Sequence, residues 1–231
     1  MFHCLHGFLG QPADWKKLFP NAHSPNLHHP SKAKDFWKWA ENFNAEVAKQ
    51  DANPILFAYS MGGRLALHAL LQAPQLWKAA VIISAHPGLP TESERVARIE
   101  HDAKLAQAFL HEPWEEVVAK WHALPMFGGL PPPTGRQESE YAREMLAFAL
   151  QTWSLGKQDF LLPCLQEISC RVLWVAGEKE EKFVEQAKLA CAQIPKAAAW
   201  IAKDCYHRVP WEKPEEFLAK IKEFLWNNGF K

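Results

Sequence analysis

The sequence lacks the features that mark several large protein classes. Its 231 residues contain 26 Lys and Arg and 26 Asp and Glu. The chain therefore lacks the positive net charge that would indicate a nucleic-acid partner. No apolar run approaches the roughly 20 residues that a membrane-spanning helix needs. The amino terminus has neither a basic region nor a long apolar stretch, so we expect no secretory signal. We therefore expect a cytoplasmic protein that binds neither nucleic acid nor membrane, with no oligomeric state indicated.

The sequence also has little that would serve metal or cofactor chemistry. Five cysteines are scattered without a CxxC pair, so we expect reduced thiols rather than a disulfide framework. The histidines, His29 among them, show no HExxH or Cys/His ligand spacing, and we expect no metal site. Residues 62–63 are glycines without the spacing of a phosphate-binding loop. We therefore expect no cofactor, and we interpret His6 and His86 as residues that shape loops beside a pocket.

What is present is a core-forming α/β pattern. Hydrophobic residues make up 48% of the chain, which suits one α/β domain or a domain with a small insertion. Short β-rich runs alternate with helical patterns, as is typical of a parallel sheet built from βα units. The predicted strands are 2–5, a weaker one at 22–27, 54–59, 79–84, 172–176 and 198–201. The predicted helices are 32–50, 61–71, 181–192 and 212–227.

The pattern changes between residues 85 and 170. No convincing strand occurs there, and amphipathic helices alternate with proline-rich breaks. We predict a core domain formed by residues 1–84 and 171–231, with residues 85–170 as a helical lid insertion. A long insertion at the carboxyl edge of a parallel sheet would cover the crevice where such sheets bind ligands.

A serine follows the apolar run that ends at residue 59. Ser60 stands where a predicted strand turns into a helix, between the small residues Ala58 and Gly62. Such a turn presents a hydroxyl as a nucleophile at the carboxyl edge of a sheet. An ordinary turn in which the serine caps the helix fits the same short motif.

An acid and a histidine follow in the order that a Ser-His-acid site on this kind of sheet requires. Glu180 comes after the strand predicted at 172–176, and His207 comes after the last predicted strand. The histidine would take the Ser60 proton, and the carboxylate would fix the histidine tautomer. Glu178 and Glu181 are alternative acids.

The amino-terminal strand is followed at once by the HGxxG loop, residues 6–10. A loop of this kind presents a backbone N–H to a negatively charged oxygen, together with the N–H of the residue after the serine. Phe8 and Met61 would supply the two donors of this oxyanion hole.

Together these motifs resemble the α/β-hydrolase fold over nearly the whole chain. Within it, the chain is most similar to the 2-succinyl-6-hydroxy-2,4-cyclohexadiene-1-carboxylate synthases of menaquinone biosynthesis. The resemblance implies a mainly parallel sheet of about six strands, without the antiparallel strands that usually come first, flanked by helices and covered by a helical lid. The stretches that carry it are residues 5–10, 59–64, 86–89, 112–127, 154–158 and 177–183.

The resemblance implies elimination of pyruvate from 2-succinyl-5-enolpyruvyl-6-hydroxy-3-cyclohexene-1-carboxylate. The serine would act there as a base on an acidic carbon, and arginine forks would bind the carboxylates of the substrate. The residues that the resemblance places against the substrate are Tyr59, Arg64, His86, Arg98, Trp121 and Arg143, with Arg136 as the alternative to Arg143.

Three residues depart from the family pattern: Ala58 and Tyr206 replace glycines, and Glu180 replaces aspartate. Two other functions therefore stay open. One is a carboxylesterase or acyl hydrolase that uses Ser60 as a nucleophile on a small ester. The other is a catalytically silent binding protein on the same fold. A cavity in which Arg64, Arg98 and a third basic group converge beside Ser60 would favour the synthase.

Overall fold

A parallel sheet of five strands runs through the centre of the structure, a computed structural model that describes residues 1–28 and 33–226. The strands lie side by side in chain order, and each pairs in parallel with the next. The parallel α/β architecture predicted from the alternating pattern is thus confirmed. The strands are β1 Phe2–Leu5, β2 Ile55–Tyr59, β3 Ala79–Ile83, β4 Arg171–Gly177 and β5 Ala197–Ala202.

Helices cover both faces of this sheet. Every residue of β2 and β3 is buried, as expected for central strands of a parallel sheet. Leu56 packs in the core that contains α2 and α3, and Phe57 faces the opposite core with α1 and α9. The helices are α1 Ala13–Lys16, α2 Phe36–Gln50, α3 Met61–Gln72, α4 Glu92–His111, α5 Trp114–His122, α6 Arg143–Thr152, α7 Glu181–Gln193, α8 Val209–Glu212 and α9 Pro214–Trp226, with 3-10 turns at Pro125–Phe127, Glu138–Glu140 and Leu162–Glu167.

The prediction of a sixth strand at residues 22–27 is wrong. His23 forms a single bridge to β1: its N–H donates to the Phe2 carbonyl (2.9 Å) and its carbonyl accepts from the Cys4 N–H (2.8 Å). Pro25 follows two residues later and has no N–H to donate, so the pairing does not extend into a strand.

The helix predicted from residue 32 begins at Phe36. The Asp35 side chain accepts a hydrogen bond from the Lys38 N–H (2.7 Å), which caps the first turn. The predicted start at Lys32, and His29 before it, lie outside the described residues.

The helix predicted at residues 212–227 is divided into α8 and α9. Proline has no N–H for a helix interior but suits the first helical position, so Pro214 begins a new helix. The predicted end at Asn227 lies outside the described residues.

Residues 85–170, which we call the helical segment, join β3 to β4 without forming a strand. α4 begins with a capping box in which Thr91 and Glu94 satisfy each other's backbone amides. α4 packs along α6, and Leu9 from the loop after β1 packs against both. The segment has a small core of its own, formed by Ala106, Phe109, Trp114, Val117, Leu146, Ala147 and Leu150.

Residues with strained backbone conformations lie at the carboxyl edge of the sheet. Among the described residues, Leu9, Ser60, Ser84 and Asp204 are the non-glycine residues with positive φ, between 46° and 58°. Each follows a strand within a few residues. Because such conformations cost roughly 1–3 kcal/mol, they persist where surrounding structure holds them, often at functional sites. We therefore expect the functional site at this edge.

Several buried histidines form no ion pair with a carboxylate of the described residues. His68 in α3 donates from Nδ1 to the Arg64 carbonyl (2.8 Å), and its Nε2 has no hydrogen-bond partner among the described residues. Burial lowers the pKa of His68 to about 4, and it has the same effect on His6 and His86. These side chains stay neutral in the native protein at pH values where an unfolded chain takes up protons.

Stability should therefore fall as the pH drops from about 6.5 to about 4, since the unfolded state binds the extra protons. His68→Gln removes one such group. Between pH 7 and pH 5 we expect the variant to lose about 2 kcal/mol less of its free energy of unfolding than the wild type does. Urea denaturation at the two pH values measures this difference, and equal losses in both proteins would contradict the prediction.

Candidate active site

Ser60 occupies the sharp turn between β2 and α3. Its backbone has φ 54° and ψ −114°. The Ser60 N–H donates to the Ile83 carbonyl of β3 (2.9 Å), and the Arg64 N–H donates to the Ser60 carbonyl (3.1 Å). The side chain makes no capping hydrogen bond to α3. The alternative in which Ser60 merely caps the helix therefore does not describe this turn.

Glycines allow this turn to lie against the neighbouring strands. A Cβ atom on Gly62 would stand 2.5 Å from the His6 carbonyl oxygen and 2.7 Å from that of Leu5. A Cβ on Gly63 would stand 2.6 Å from the Cβ of Ala85. The start of α3 thus touches both the HGxxG loop and the loop after β3, and this contact leaves no room for a side chain.

His207 and Glu180 complete a hydrogen-bonded chain from Ser60. The His207 Nε2 lies 3.0 Å from the Ser60 Oγ, and its Nδ1 lies 2.7 Å from the Glu180 Oε2. A carboxylate beside Nδ1 keeps the ring proton there, so Nε2 is free to accept the serine proton. Both His207 and Glu180 are buried. The structure therefore brings together the three side chains predicted as a triad.

The contact to Nδ1 is made by Glu180 and not by its neighbours. Glu178 accepts a hydrogen bond from the Asp204 N–H (3.0 Å), and Glu181 is exposed. The extra methylene of glutamate, which distinguishes this chain from the family pattern, is accommodated within ordinary hydrogen-bond distance of His207.

The loop that bears His207 is held from both sides. The Glu212 carboxylate accepts from the N–H groups of Tyr206 (2.6 Å) and Arg208 (2.7 Å), the residues on either side of His207. The His207 N–H donates to the Met126 carbonyl of the helical segment (3.1 Å). Glu212 follows His207 by five residues, and this short separation allows its carboxylate to hold the amides on both sides of the histidine.

Two residues near Ser60, Phe8 and Met61, have backbone amides without a partner among the described residues. Both residues line the cavity beside Ser60. His6 fixes the HGxxG loop, since its Nδ1 donates to the Gly7 carbonyl (2.8 Å) and its Nε2 accepts from the Leu27 N–H (3.0 Å). Free amides in this position can stabilise a negatively charged oxygen.

The cavity beside Ser60 has a volume of about 490 Å³, which suits a small-molecule ligand. Its floor comes from the carboxyl edge of the sheet, and the helical segment supplies much of its wall. Its apolar lining includes Phe8, Leu105, Trp121, Leu124, Pro125, Met126, Phe127, Leu150, Trp153 and Phe183.

Arg64 is a buried cation in this cavity. Its Nη1 donates to the Trp153 carbonyl (2.5 Å), and its guanidinium lies 5.9 Å from the centre of the Phe36 ring. No carboxylate of the described residues lies within 4.0 Å of it. Burial lowers the pKa of Arg64 and the nearby charge of Arg98 lowers it further, whereas the charge of Asp102 acts in the opposite direction. A buried cation without a carboxylate in direct contact is stabilised by an anion that enters the cavity.

Arg98 lines the wall of the cavity and is partly neutralised. Its Nε lies 2.8 and 2.9 Å from the two carboxylate oxygens of Asp102. Asp102 also accepts from the Ser154 hydroxyl (2.7 Å), so the pair is fixed between α4 and the segment after α6. Neither Nη of Arg98 has an acceptor among the described residues, and both can still donate to a ligand.

The third predicted arginine lies elsewhere. Arg143 donates to the carbonyls of Phe109 (3.1 Å) and Glu112 (2.7 Å) and is absent from the cavity lining. It binds the free carbonyls at the end of α4, which explains its position. The alternative, Arg136, forms a buried ion pair with Asp14 (2.9 Å). Neither arginine lines the cavity, so neither is placed as the third carboxylate contact that the resemblance implies.

The other predicted pocket residues line the cavity. Tyr59 packs edge-on against His207, with ring centres 5.3 Å apart, and Trp121 packs against Phe8 at 4.9 Å. His86 is buried there and neutral, because burial lowers its pKa to about 4 with help from nearby cations.

Sequence reasoning missed three cations near the site, which are Lys179, Lys182 and Arg208. Lys182 lines the cavity, although its stretch, residues 177–183, already carried part of the family resemblance. Arg208 joins the His207 loop to the helical segment: its Nη1 donates to the Leu130 carbonyl (3.0 Å), and its guanidinium lies 3.7 Å from the centre of the Phe127 ring. No local spacing indicates Arg208, since these partners are distant in the chain.

Within residues 1–28 and 33–226, no group of three or more His, Cys, Asp or Glu side chains is arranged to hold a metal ion. All five cysteines are free thiols. No helix in the described part of the chain has both the length and the apolar character needed to cross a bilayer.

Comparison with known proteins agrees with this geometry. Residues 4–220 match the model of the alpha/beta hydrolase family. The chain belongs to that family. It is a family of enzymes, and the α/β-hydrolase fold predicted from the motifs is therefore confirmed, with five strands in the described sheet rather than about six.

Several similar curated proteins carry the same name. A 2-succinyl-6-hydroxy-2,4-cyclohexadiene-1-carboxylate synthase of Photorhabdus laumondii is 31% identical over 96% of this chain and 84% of its own length. A putative synthase of the same name from Bacillus subtilis is 33% identical over 96% of this chain and 89% of its own length. A solved structure of MenH from S. aureus has a TM-score of 0.87 at 26% identity and covers 98% of this chain and 93% of that one.

Gly62→Ala should disrupt the serine turn. The added Cβ would meet backbone oxygen atoms, which cannot move aside as a flexible side chain can. We expect the free energy of unfolding to fall by about 3 kcal/mol and any turnover to fall with it.

Gly135→Ala is the matched control, because a Cβ there meets no atom within 4 Å. We expect it to change stability by less than about 0.5 kcal/mol. Thermal and urea denaturation measure both variants. Equal stability of the two would show that the close approach at Gly62 does not constrain the turn.

Proposed function

We propose that the protein eliminates pyruvate from 2-succinyl-5-enolpyruvyl-6-hydroxy-3-cyclohexene-1-carboxylate, with Ser60, His207 and Glu180 as its catalytic residues. The observation that carries the proposal is Arg64, a buried cation without a carboxylate partner in the cavity beside Ser60. An anionic substrate supplies the carboxylate contact that Arg64 lacks. The name shared by the similar synthases supports the same reaction.

In this proposal Ser60 is the base. The His207 Nε2 takes the serine proton, and the alkoxide removes a proton from the ring carbon that bears the succinyl group. That carbon is acidic because the succinyl carbonyl oxygen accepts the developing negative charge. The amides of Phe8 and Met61 stabilise this oxygen in the manner of an oxyanion hole.

The electron pair of the broken C–H bond forms a new ring double bond, and the existing double bond moves along the ring. The C–O bond to the enolpyruvyl group then breaks, and the leaving group departs as the enolate of pyruvate. The proton held by His207 neutralises that enolate through solvent, which returns Ser60 and His207 to their starting state. No cofactor enters this scheme.

The helical segment is the proposed lid of this cavity. Leu105, Trp121 and Trp153 contribute apolar walls, and exclusion of water strengthens the charged contacts inside. Tyr59, His86 and Arg98 are the remaining proposed substrate contacts.

Hydrolysis of a small ester is the second candidate. The 3.0 Å contact between Ser60 and His207, with free amides nearby, also equips Ser60 as a nucleophile. An ester without a carboxylate, however, would leave Arg64 unpaired. The cationic cavity is thus the feature that favours the synthase.

The direct test is pyruvate release from freshly prepared enolpyruvyl substrate. We expect turnover by the wild type and a loss of about 10³-fold or more in Ser60→Ala, because the base is removed. Parallel assays with p-nitrophenyl acetate and a fluorophosphonate probe test Ser60 as a nucleophile. Ester turnover without pyruvate release would replace this proposal with the hydrolase, and no turnover of either substrate would favour a binding protein.

The glutamates of residues 178–181 test the assignment of the acid. Glu180→Gln should lower kcat by about 10³-fold, since an amide beside Nδ1 does not stabilise the histidine cation as a carboxylate does. Glu178→Gln is the matched control, because its side chain neither contacts His207 nor lines the cavity, and it should stay within a few-fold of the wild type. Glu181→Gln changes the cavity lining without a contact to His207, and it should lose less activity than Glu180→Gln. A larger loss in Glu178→Gln or Glu181→Gln than in Glu180→Gln would contradict the assignment.

A further inference from the structure

The proposed substrate sets a charge requirement that the arginines of the cavity do not meet. Its ring, succinyl and enolpyruvyl groups each carry one carboxylate, which makes three. Arg64 and Arg98 can each bind one, and Arg98 already shares its charge with Asp102. Arg143 and Arg136 are engaged elsewhere in the fold. One carboxylate is therefore without a cation among the arginines discussed above.

Lys182 lies where such a cation is needed. It is in the first turn of α7, two residues after Glu180, and it lines the same cavity as Ser60. It is exposed, which places it at the mouth of the cavity, and it has no carboxylate partner within 4.0 Å among the described residues.

The charge of Lys182 acts on titratable groups of two other elements. His86, in the loop after β3, has its pKa lowered first by burial and then by the charges of Lys182, Arg64 and Arg98. Glu94 in α4 has its pKa lowered mainly by hydrogen bonds from Thr91, and Lys182 adds to the effect. The charge of Lys182 thus acts on both His86 and Glu94, and Lys182, His86, Arg64 and Arg98 line the same cavity.

The other charged groups at the opening are less suited to this role. Lys179 pairs with Asp204 at 3.4 Å, and His101 lies 3.3 Å from Asp102. Glu181 also lines the cavity but is exposed and carries the wrong charge. A lysine provides a mobile point charge, which suits a carboxylate held at the rim.

We infer that Lys182 is a specificity-determining residue that binds the outermost carboxylate of a tricarboxylate substrate at the cavity mouth. The inference rests on the proposed function, and it assigns the third cation to α7 rather than to the helical segment. A polyanion then meets Lys182 first and moves inward to Arg98 and Arg64.

Kinetics of Lys182→Gln, measured by pyruvate release, test the inference. We expect kcat/KM to fall about tenfold, mainly through KM, because a charge-assisted hydrogen bond is lost while the catalytic residues stay intact. Lys182→Arg should retain most of the wild-type value. Lys188→Gln is the matched control: it removes the same charge from an exposed position further along α7, away from this cavity, and should change kcat/KM little.

A binding measurement separates this inference from the proposed reaction. Trp121 and Trp153 line the cavity, so their fluorescence can report binding of benzene-1,2,4-tricarboxylate and of benzoate. Lys182→Gln should weaken binding of the tricarboxylate about tenfold and leave the binding of benzoate nearly unchanged.

The outcomes distinguish the two proposals. Failure of the wild type to release pyruvate, with Lys182-dependent binding of the tricarboxylate, would overturn the reaction and keep the role of Lys182. Pyruvate release and tricarboxylate binding that are unchanged in Lys182→Gln, or reduced equally in Lys188→Gln, would overturn the role of Lys182 alone.

Discussion

The left-handed backbone of Ser60 is the constraint on which the rest of the site depends. A backbone φ of 54° is unfavourable for a non-glycine residue and persists only where other interactions offset its cost. Here the hydrogen bonds of Ser60 to β3 and α3 stabilise it. The turn also requires α3 to begin in direct contact with the loop after β1, where Gly62 leaves no space for a Cβ. Phe8 of that loop and Met61 at the start of α3 line the same cavity. The close approach of α3 to this loop therefore determines the positions of both the Ser60 hydroxyl and the neighbouring residues.

The position of His207 depends on a second set of contacts. Glu212 holds the loop through the amides on either side of His207, and Met126 and Phe127 contact the same loop from the helical segment. The histidine is thus fixed by the core and by the helical segment together. Movement of the helical segment would alter the distance between His207 and Ser60, because Met126 and Phe127 of that segment contact the His207 loop.

Much of the fold could be predicted because its signals are local. Strands β2 and β3 are buried on both faces and read as continuous apolar runs, and α3 follows from the small residues after Ser60. The prediction failed at residues 22–27, where a weak signal suggested a strand that Pro25 cannot continue. It also placed Arg143 at the ligand, although packing directs that side chain to the carbonyls at the end of α4. A side chain as long as arginine can serve several neighbours, and only the packing selects one.

The sequence by itself determined the order of the chemical groups along the sheet. Parallel strands end at one edge, so a serine, an acid and a histidine that each follow a strand must meet there. The tertiary structure decided which glutamate contacts His207 and which cations face the cavity. Those choices depend on distances between side chains of elements that are far apart in the chain. Glu180 is buried and contacts His207, whereas Glu181, one residue later, is exposed.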